Sequence, residues 1–227
     1  MFGDYIKPFT GSSKPLGPGS NSSAITKLIY DLSQEFAVKD LGDLKYFLGV
    51  EAIQVADGLI LSQSRYVTNL LQRTNMHPAK PISSPMSSTQ QLSLFTGPPC
   101  ADPSLYRSIV DALQYLSLTR PDISFSVSKA CQFMHKPTDV HWTAVKRILR
   151  YLKFIIDFGL LLRPNSSLQL SIYSNADWAG CLDDRKSTSG YCIFLGYNLV
   201  SWSSKKEPTV AHSSTKAEYQ AVAHATT

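Results

Sequence analysis

The feature that most limits what this chain can fold into is a change of hydrophobic period close to Gly159. From Asp102 to Ile155 the apolar residues recur every three or four positions, whereas the later segments "LQLSIYS", "GYCIFLG" and "LVSWSS" read as short strands separated by turn-rich stretches. A three-to-four repeat buries one stripe of a helix, and a repeat of two buries one face of a strand. An α+β chain is therefore expected, helices first and a small sheet after, with a boundary at Asn165 and Ser166.

Within the helical part, Asp102 followed by Pro103 is a start signal, because Asp accepts the first free amide protons and proline suits the first turn. Leu105, Ile109, Leu113 and Leu116 continue the inner face. A second helix is expected after Pro121, with Ile123, Val127, Ala130 and Met134 inward. A third follows Thr138, with Ala144, Ile148, Leu149, Leu152 and Ile155 inward, and the three are expected to form one compact bundle.

Upstream, residues 1–23 contain Pro8, Pro15 and Pro18 and are expected to be a loose leader. Ile25, Leu28, Ile29, Leu32 and Phe36 predict an amphipathic helix ending near Phe36. In "LKYFLGVEAIQVADGLILSQ" two apolar runs meet at Ala56, Asp57 and Gly58, which predicts a two-stranded antiparallel ribbon. Ser64 is placed to cap a helix carrying Tyr66, Val67, Leu70 and Leu71, stopped by His77-Pro78, and Lys80 to Cys100 reads as loop. At the other end, Ser213, Ser214 and Thr215 are cap residues for a helix with an Ala217, Ala221, Ala225 stripe. Three meandering strands and one helix leave a sheet edge uncovered, so this last unit is expected to be incomplete.

A net charge of +5 and a pI near 9.0 suit a polyanionic partner, yet Lys and Arg are dispersed, and an ordinary basic domain explains the figure as well. Lys146, Arg147, Arg150 and Lys153 share the third helix of the bundle. They have the spacing to follow a phosphate backbone, but a solvated outer face is the commoner origin of such a pattern. Cys100, Cys131, Cys181 and Cys192 stand far apart without a CxxC pair, which indicates neither zinc nor a disulfide framework but reduced thiols in an intracellular compartment. No apolar run reaches the roughly 18 residues of a membrane span, and the N-terminus lacks signal-peptide order. The protein is expected to be soluble and not secreted, with no membrane partner.

The blocks "KDLGDLKYFLGVE", "LSQSRYVTNLL", "YRSIVDALQYLSLTRPDISFSV", "RILRYLK", "ADWAG", "RKSTSGYCIFLG", "VSWSSKK" and "SSTKAEYQA" follow one another in family order. From Ser22 to the C-terminus the chain resembles the Pol polyprotein of copia-type retrotransposons, especially those of plants. The resemblance implies that residues 24–165 are the C-terminal part of a reverse transcriptase with its connection. It implies that 166–227 are the first half of a ribonuclease H-like α/β unit. RNA-directed DNA polymerase and ribonuclease H are the parent activities, both using paired Mg²⁺ ions held by carboxylates.

Residue by residue, that inheritance is broken. Where the family carries a Tyr-Val-Asp-Asp hairpin before a segment similar to Phe9–Ser13, this chain reads "FGDYIKPFTGSS", with Asp4 at the wrong offset. Asn175 stands where the family has the first ribonuclease H aspartate. An amide offers an oxygen but neutralises none of a metal's charge. Asp177 does not replace it, because residues two apart on a strand sit roughly 6 to 7 Å from each other. Glu218, in "KAEYQA", matches a metal-ligand glutamate as a remnant. The remaining carboxylates are expected past Thr227. Asp111 and Lys216 depart from the family's Gly and Glu, and a buried Asp111 would be costly where an exposed one would not. Trp178 and Trp202 are read as sheet-packing residues, Lys205 and Lys206 as a solvated strand end.

The expectation is a truncated Pol fragment without polymerase or ribonuclease H activity and without a cofactor of its own. The alternative is a non-catalytic module binding an RNA–DNA hybrid or DNA through the cations of residues 146–153. A third reading, from the open sheet edge, is a surface that accepts a partner chain.

Overall fold

The first element is a helix, α1 (Ser22–Glu35); of the apolar stripe that predicted it, Ile29 is partly buried while Leu28, Leu32 and, just past its end, Phe36 are exposed. The computed structural model describes residues 22–37, 45–87, 91–164 and 167–226. Nearly all of the expected leader, and the position of the lost Asp-Asp hairpin, lie outside these residues, as does the boundary at 165–166.

The ribbon exceeds its prediction. Strands β1 (Tyr46–Phe47), β2 (Val50–Val55) and β3 (Gly58–Ser62) are joined by a fourth, β4 (Leu160–Leu162), in the antiparallel order β1-β2-β3-β4. Gly58 is not a turn residue but the first of β3, paired with Val55 across the turn Ala56–Asp57. It has φ +147, and a Cβ there would overlap the Leu162 carbonyl, so its bare backbone is what admits β4.

Helix α2 (Ser64–Arg73) starts one residue earlier than a Ser64 cap implies. Gln63 is the N-cap without a side-chain bond, and the Ser64 hydroxyl instead donates to Glu51 Oε2 at 3.4 Å. The helix ends before His77-Pro78, because Asn75 turns left-handed at φ +53 and the Met76 amide closes on the Leu71 carbonyl at 2.8 Å.

Helix α3 (Pro103–Leu116) begins as predicted, with Asp102 Oδ1 accepting from the Leu105 amide at 2.8 Å. A short 3-10 turn, Pro121–Ile123, leads into α4 (Ser124–Cys131), which stops short of Met134. Helix α5 (Asp139–Phe154) opens on a reciprocal cap: the Thr138 side chain accepts from the main chain of His141, and His141 Nδ1 accepts from the Thr138 amide at 3.0 Å. The core is shared by four helices rather than the expected three. Val67, Leu70 and Leu71 of α2 pack with Ile109, Leu113 and Leu116 of α3, Val127 of α4, and Val145, Leu149 and Leu152 of α5. Beside it, Arg120 and Asp122 form a two-bonded ion pair, 3.0 and 2.7 Å, almost wholly out of water.

The second sheet is the expected meander, β5 (Leu170–Asp177), β6 (Thr188–Leu195) and β7 (Asn198–Lys206), antiparallel in that order with a register shift at Ile193/Phe194. Helix α6 (Ser214–Thr226) lies against β5 and β6, and its Ala217, Ala221 and Ala225 stripe is buried. Ser213 Oγ accepts from the Lys216 amide at 3.2 Å, so a predicted serine does cap it. The other edge of β5 pairs with no strand among the described residues. The chain is a mixed α+β fold in which β7 packs on α4, and the Trp202 ring N–H donates to the Ser117 carbonyl at 3.0 Å.

Candidate functional site

Strand alternation puts Asn175 and Asp177 on one face of β5, near its end, and both are exposed. Asn175 lies opposite Gly190 in register. Glu218, also exposed, reaches β5 from the second turn of α6, where its Oε1 accepts from the Ala176 amide at 3.3 Å. The three positions singled out in the sequence are thus brought to one end of one strand.

Their chemistry differs from their proximity. The Asp177 carboxylate folds back over its own turn, so that a Cβ at Gly180 would overlap it, and Lys129 of α4 stands 3.7 Å away. Asn175 is neutral, Asp177 is shared with an ammonium, and Glu218 serves a main-chain donor. This donor set does not suit a pair of Mg²⁺ ions, which need converging carboxylates to offset their charge. Among the described residues no three His, Cys, Asp or Glu side chains gather where a cation is held. Lys129 escaped sequence reading because nothing in "SVSKACQ" marks it as facing β5.

Three of the four cations of α5 have partners within the chain. Arg150 Nε donates to the Lys80 carbonyl at 2.7 Å, and Lys153 Nζ to the His77 and Ala79 carbonyls at 2.5 and 3.0 Å. Lys146 Nζ lies 5.8 Å from the centre of the Trp142 ring. Arg147 is half-buried and lines a small cavity with Pro85 and Met86, its Nε buried without a hydrogen-bond partner. All four are partly buried, and Arg150 and Lys153 tie this helix face to the connecting segment after α2.

The remaining sequence candidates resolve individually. Asp111 is exposed and costs nothing by burial; burial of the Cys131 thiol, and secondly the Asp111 charge, push that thiol up to about 11. Lys216 and Lys205 are exposed. Lys206 is not a solvated strand end, because it pairs with Asp184 at 2.9 Å. The Trp178 ring N–H donates to the Ala211 carbonyl at 3.0 Å. A cleft of about 460 Å³ follows the junction of α3 and α4 with β7, but its lining, including Gln114, Ser124, Trp202 and Ser204, carries no charged side chain to meet a phosphate.

Residues 16–88 match the reverse transcriptase (RNA-dependent DNA polymerase) family. Over 205 residues, 90% of the chain, the sequence is 51% identical to a retrovirus-related Pol polyprotein from transposon RE2 of Arabidopsis thaliana, of which it covers 14%. It is 37% identical over 210 residues, 88% of the chain, to the corresponding polyprotein from transposon TNT 1-94 of Nicotiana tabacum, covering 16% of it. An uncharacterized mitochondrial protein of Arabidopsis thaliana is 46% identical over 205 residues, 90% of this chain and 85% of that protein. The chain therefore spans about one seventh of the length of the Pol polyproteins it matches. No solved structure matches it.

Proposed function

Because the chain belongs to the copia-type Pol polyprotein family of plant retrotransposons, we propose that it is a catalytically silent Pol segment: the C-terminal region of a reverse transcriptase followed by the first half of a ribonuclease H-like unit. The observation that carries this reading is the end of β5. There an amide replaces the first carboxylate, a lysine neutralises the next, and Glu218 is tied to the strand's own main chain. Two-metal cleavage needs a focus of negative charge to bring two divalent ions together and to generate hydroxide. Without an uncommitted carboxylate at that focus, water is not activated.

The test is cleavage of a labelled RNA–DNA hybrid by the purified chain in Mg²⁺ and in Mn²⁺. No cleavage above background is expected in either. Cleavage that disappears in Glu218→Ala would overturn the reading. The alternative is a segment that binds an RNA–DNA hybrid or DNA without chemistry, through the cations of α5, Lys146, Arg147, Arg150 and Lys153. Its signature would be a steep loss of affinity with salt and with Lys146 and Arg150 substitutions.

A further inference from the structure

At the same end of the sheet, past Asp177, a second set of reactive side chains converges without a role in Pol chemistry. Cys181 lies in the turn between β5 and β6, and Lys206 is the last residue of β7. The Lys206 ammonium stands 3.0 Å from Cys181 Sγ and 2.9 Å from Asp184 Oδ1. Both partners are held by main-chain bonds rather than by their own contact. The Cys181 amide donates to the Lys186 carbonyl at 3.2 Å, and the Arg185 amide returns to the Cys181 carbonyl at 2.9 Å with Arg185 at φ +54. Beside Lys206, the Glu207 amide donates to the Ser187 carbonyl at 2.9 Å. Burial alone would lower the Lys206 ammonium, but its bonds to Cys181 and Asp184 hold it above its ordinary value. Burial likewise works against the Asp184 carboxylate, yet bonds from Cys181 and Lys206 bring it down to about 2. Cys131 and Cys192 are thiols pushed up by burial.

A cation against a sulfur is the setting in which cysteine oxidation becomes site-selective. With nitrogen and sulfur at hydrogen-bond distance, one oxygen atom fits between them with little movement of either chain segment. Cys181 is 5% exposed, which admits dioxygen more readily than a bulky thiol or disulfide. We infer that Cys181 and Lys206 form a reversible oxidative cross-link, a nitrogen–oxygen–sulfur bridge, with dioxygen as the oxidant.

The step balances. The ammonium–thiolate pair, or equally the amine–thiol pair, brings three hydrogens. Dioxygen is reduced, its O–O bond breaks, and one oxygen forms new bonds to nitrogen and sulfur. The other oxygen leaves as water with two hydrogens, and the third stays on the bridging nitrogen. Asp184 receives and passes on the proton that the ammonium must shed. The bridge staples the β5–β6 turn to the end of β7, a loop of 25 residues, and thereby restricts the unfolded chain more than the folded one.

The experiment is intact-mass and peptide mapping of the full chain, kept anaerobic with reductant or exposed to air-saturated buffer. In air we expect a gain of about 14 Da, one oxygen added and two hydrogens lost, on a single linked pair of peptides carrying Cys181 and Lys206. Dithiothreitol should reverse it. Lys206→Arg, which keeps the cation and the Asp184 pair but not the primary amine, and Cys181→Ser should both lack the link. Oxygen added to Cys181 without a link to Lys206, a disulfide to another cysteine, or an unchanged Cys181 thiol after air exposure would each overturn the assignment. So would a linked mass that persists in Lys206→Arg.

Discussion

The value of a single side chain here depends on what its removal leaves behind. The side chains of Arg120 and Asp122 are only 2% and 5% exposed, so Asp122→Ala strands a guanidinium in the core. A loss of about 3–5 kcal/mol is expected, read from the urea midpoint, and replacing both residues by Met and Leu should recover most of it. A double variant as unstable as the single one would assign the loss to shape rather than to charge. His141 supplies a pH dependence. It is fully buried, and burial lowers it below the ordinary 6.5, against smaller raising effects of its bond to Ser93 and of Asp183. Its Nδ1 accepts from the Thr138 amide, so the neutral ring carries its proton on Nε2 and donates to the Ser93 carbonyl at 3.1 Å. The unfolded chain binds a proton at 6.5 and the folded one does so only below that. This stability is therefore complete above 6.5 and is lost as the pH falls through the folded value. Urea midpoints measured from about pH 7 to about pH 5 should fall less steeply in His141→Gln, which keeps an acceptor at the same cap position. An identical slope would rule the histidine out. Asn175 was legible in the sequence because a neutral residue in an acidic motif is a local fact. The Arg120–Asp122 pair was not, because Arg-Pro-Asp reads as a helix start, and only packing decides that both charges turn inward.

Elements were legible where they carry their own signals and obscure where a neighbour creates them. Helix α3 has Asp102, Pro103 and four turns of apolar periodicity, and it begins where they place it. Strand β4 is three leucines directly after a helical pattern, and its existence depends on Gly58 leaving room for it 100 residues earlier in the chain. The polar face of α5 is hard to read for a related reason: long cationic side chains look alike whether they meet phosphate, water or the carbonyls of a loop. Lys153→Met separates these cases. Without its ammonium the His77 and Ala79 carbonyls lose their donor. Faster hydrogen exchange and protease cutting across residues 77–87 are therefore expected, with a loss of about 1–2 kcal/mol. Unchanged protection of that segment together with a loss of hybrid binding would return α5 to the role of a phosphate track.

At the scale of the whole molecule, the two halves distinguished by hydrophobic period are joined by more polar contacts than a flexible linkage would need. Asp183, in the β5–β6 turn, accepts from the Ser93 hydroxyl at 2.5 Å and from the Leu94 amide at 2.9 Å, and Ser93 is the residue whose carbonyl holds His141. Asn198 exchanges two bonds with the Arg163 main chain, 2.7 and 2.9 Å. With Trp202 bonded to Ser117 and Lys129 beside Asp177, the sheet is fastened to the first half of the chain at four places. Such fastening couples unfolding, because a half that opens leaves polar groups of the other without partners. The wild-type chain should therefore lose far-UV circular dichroism, dominated by the helices, and tryptophan fluorescence, sensitive to Trp202 at the junction, in one coincident urea transition. Asp183→Ala removes two charge-assisted bonds and loosens the loop above His141. It should cost about 1–3 kcal/mol and let the fluorescence change run ahead of the helical signal. If both signals stay coincident at the wild-type midpoint, the Asp183 clasp adds nothing, and the packing of β7 on α4 alone holds the two halves together.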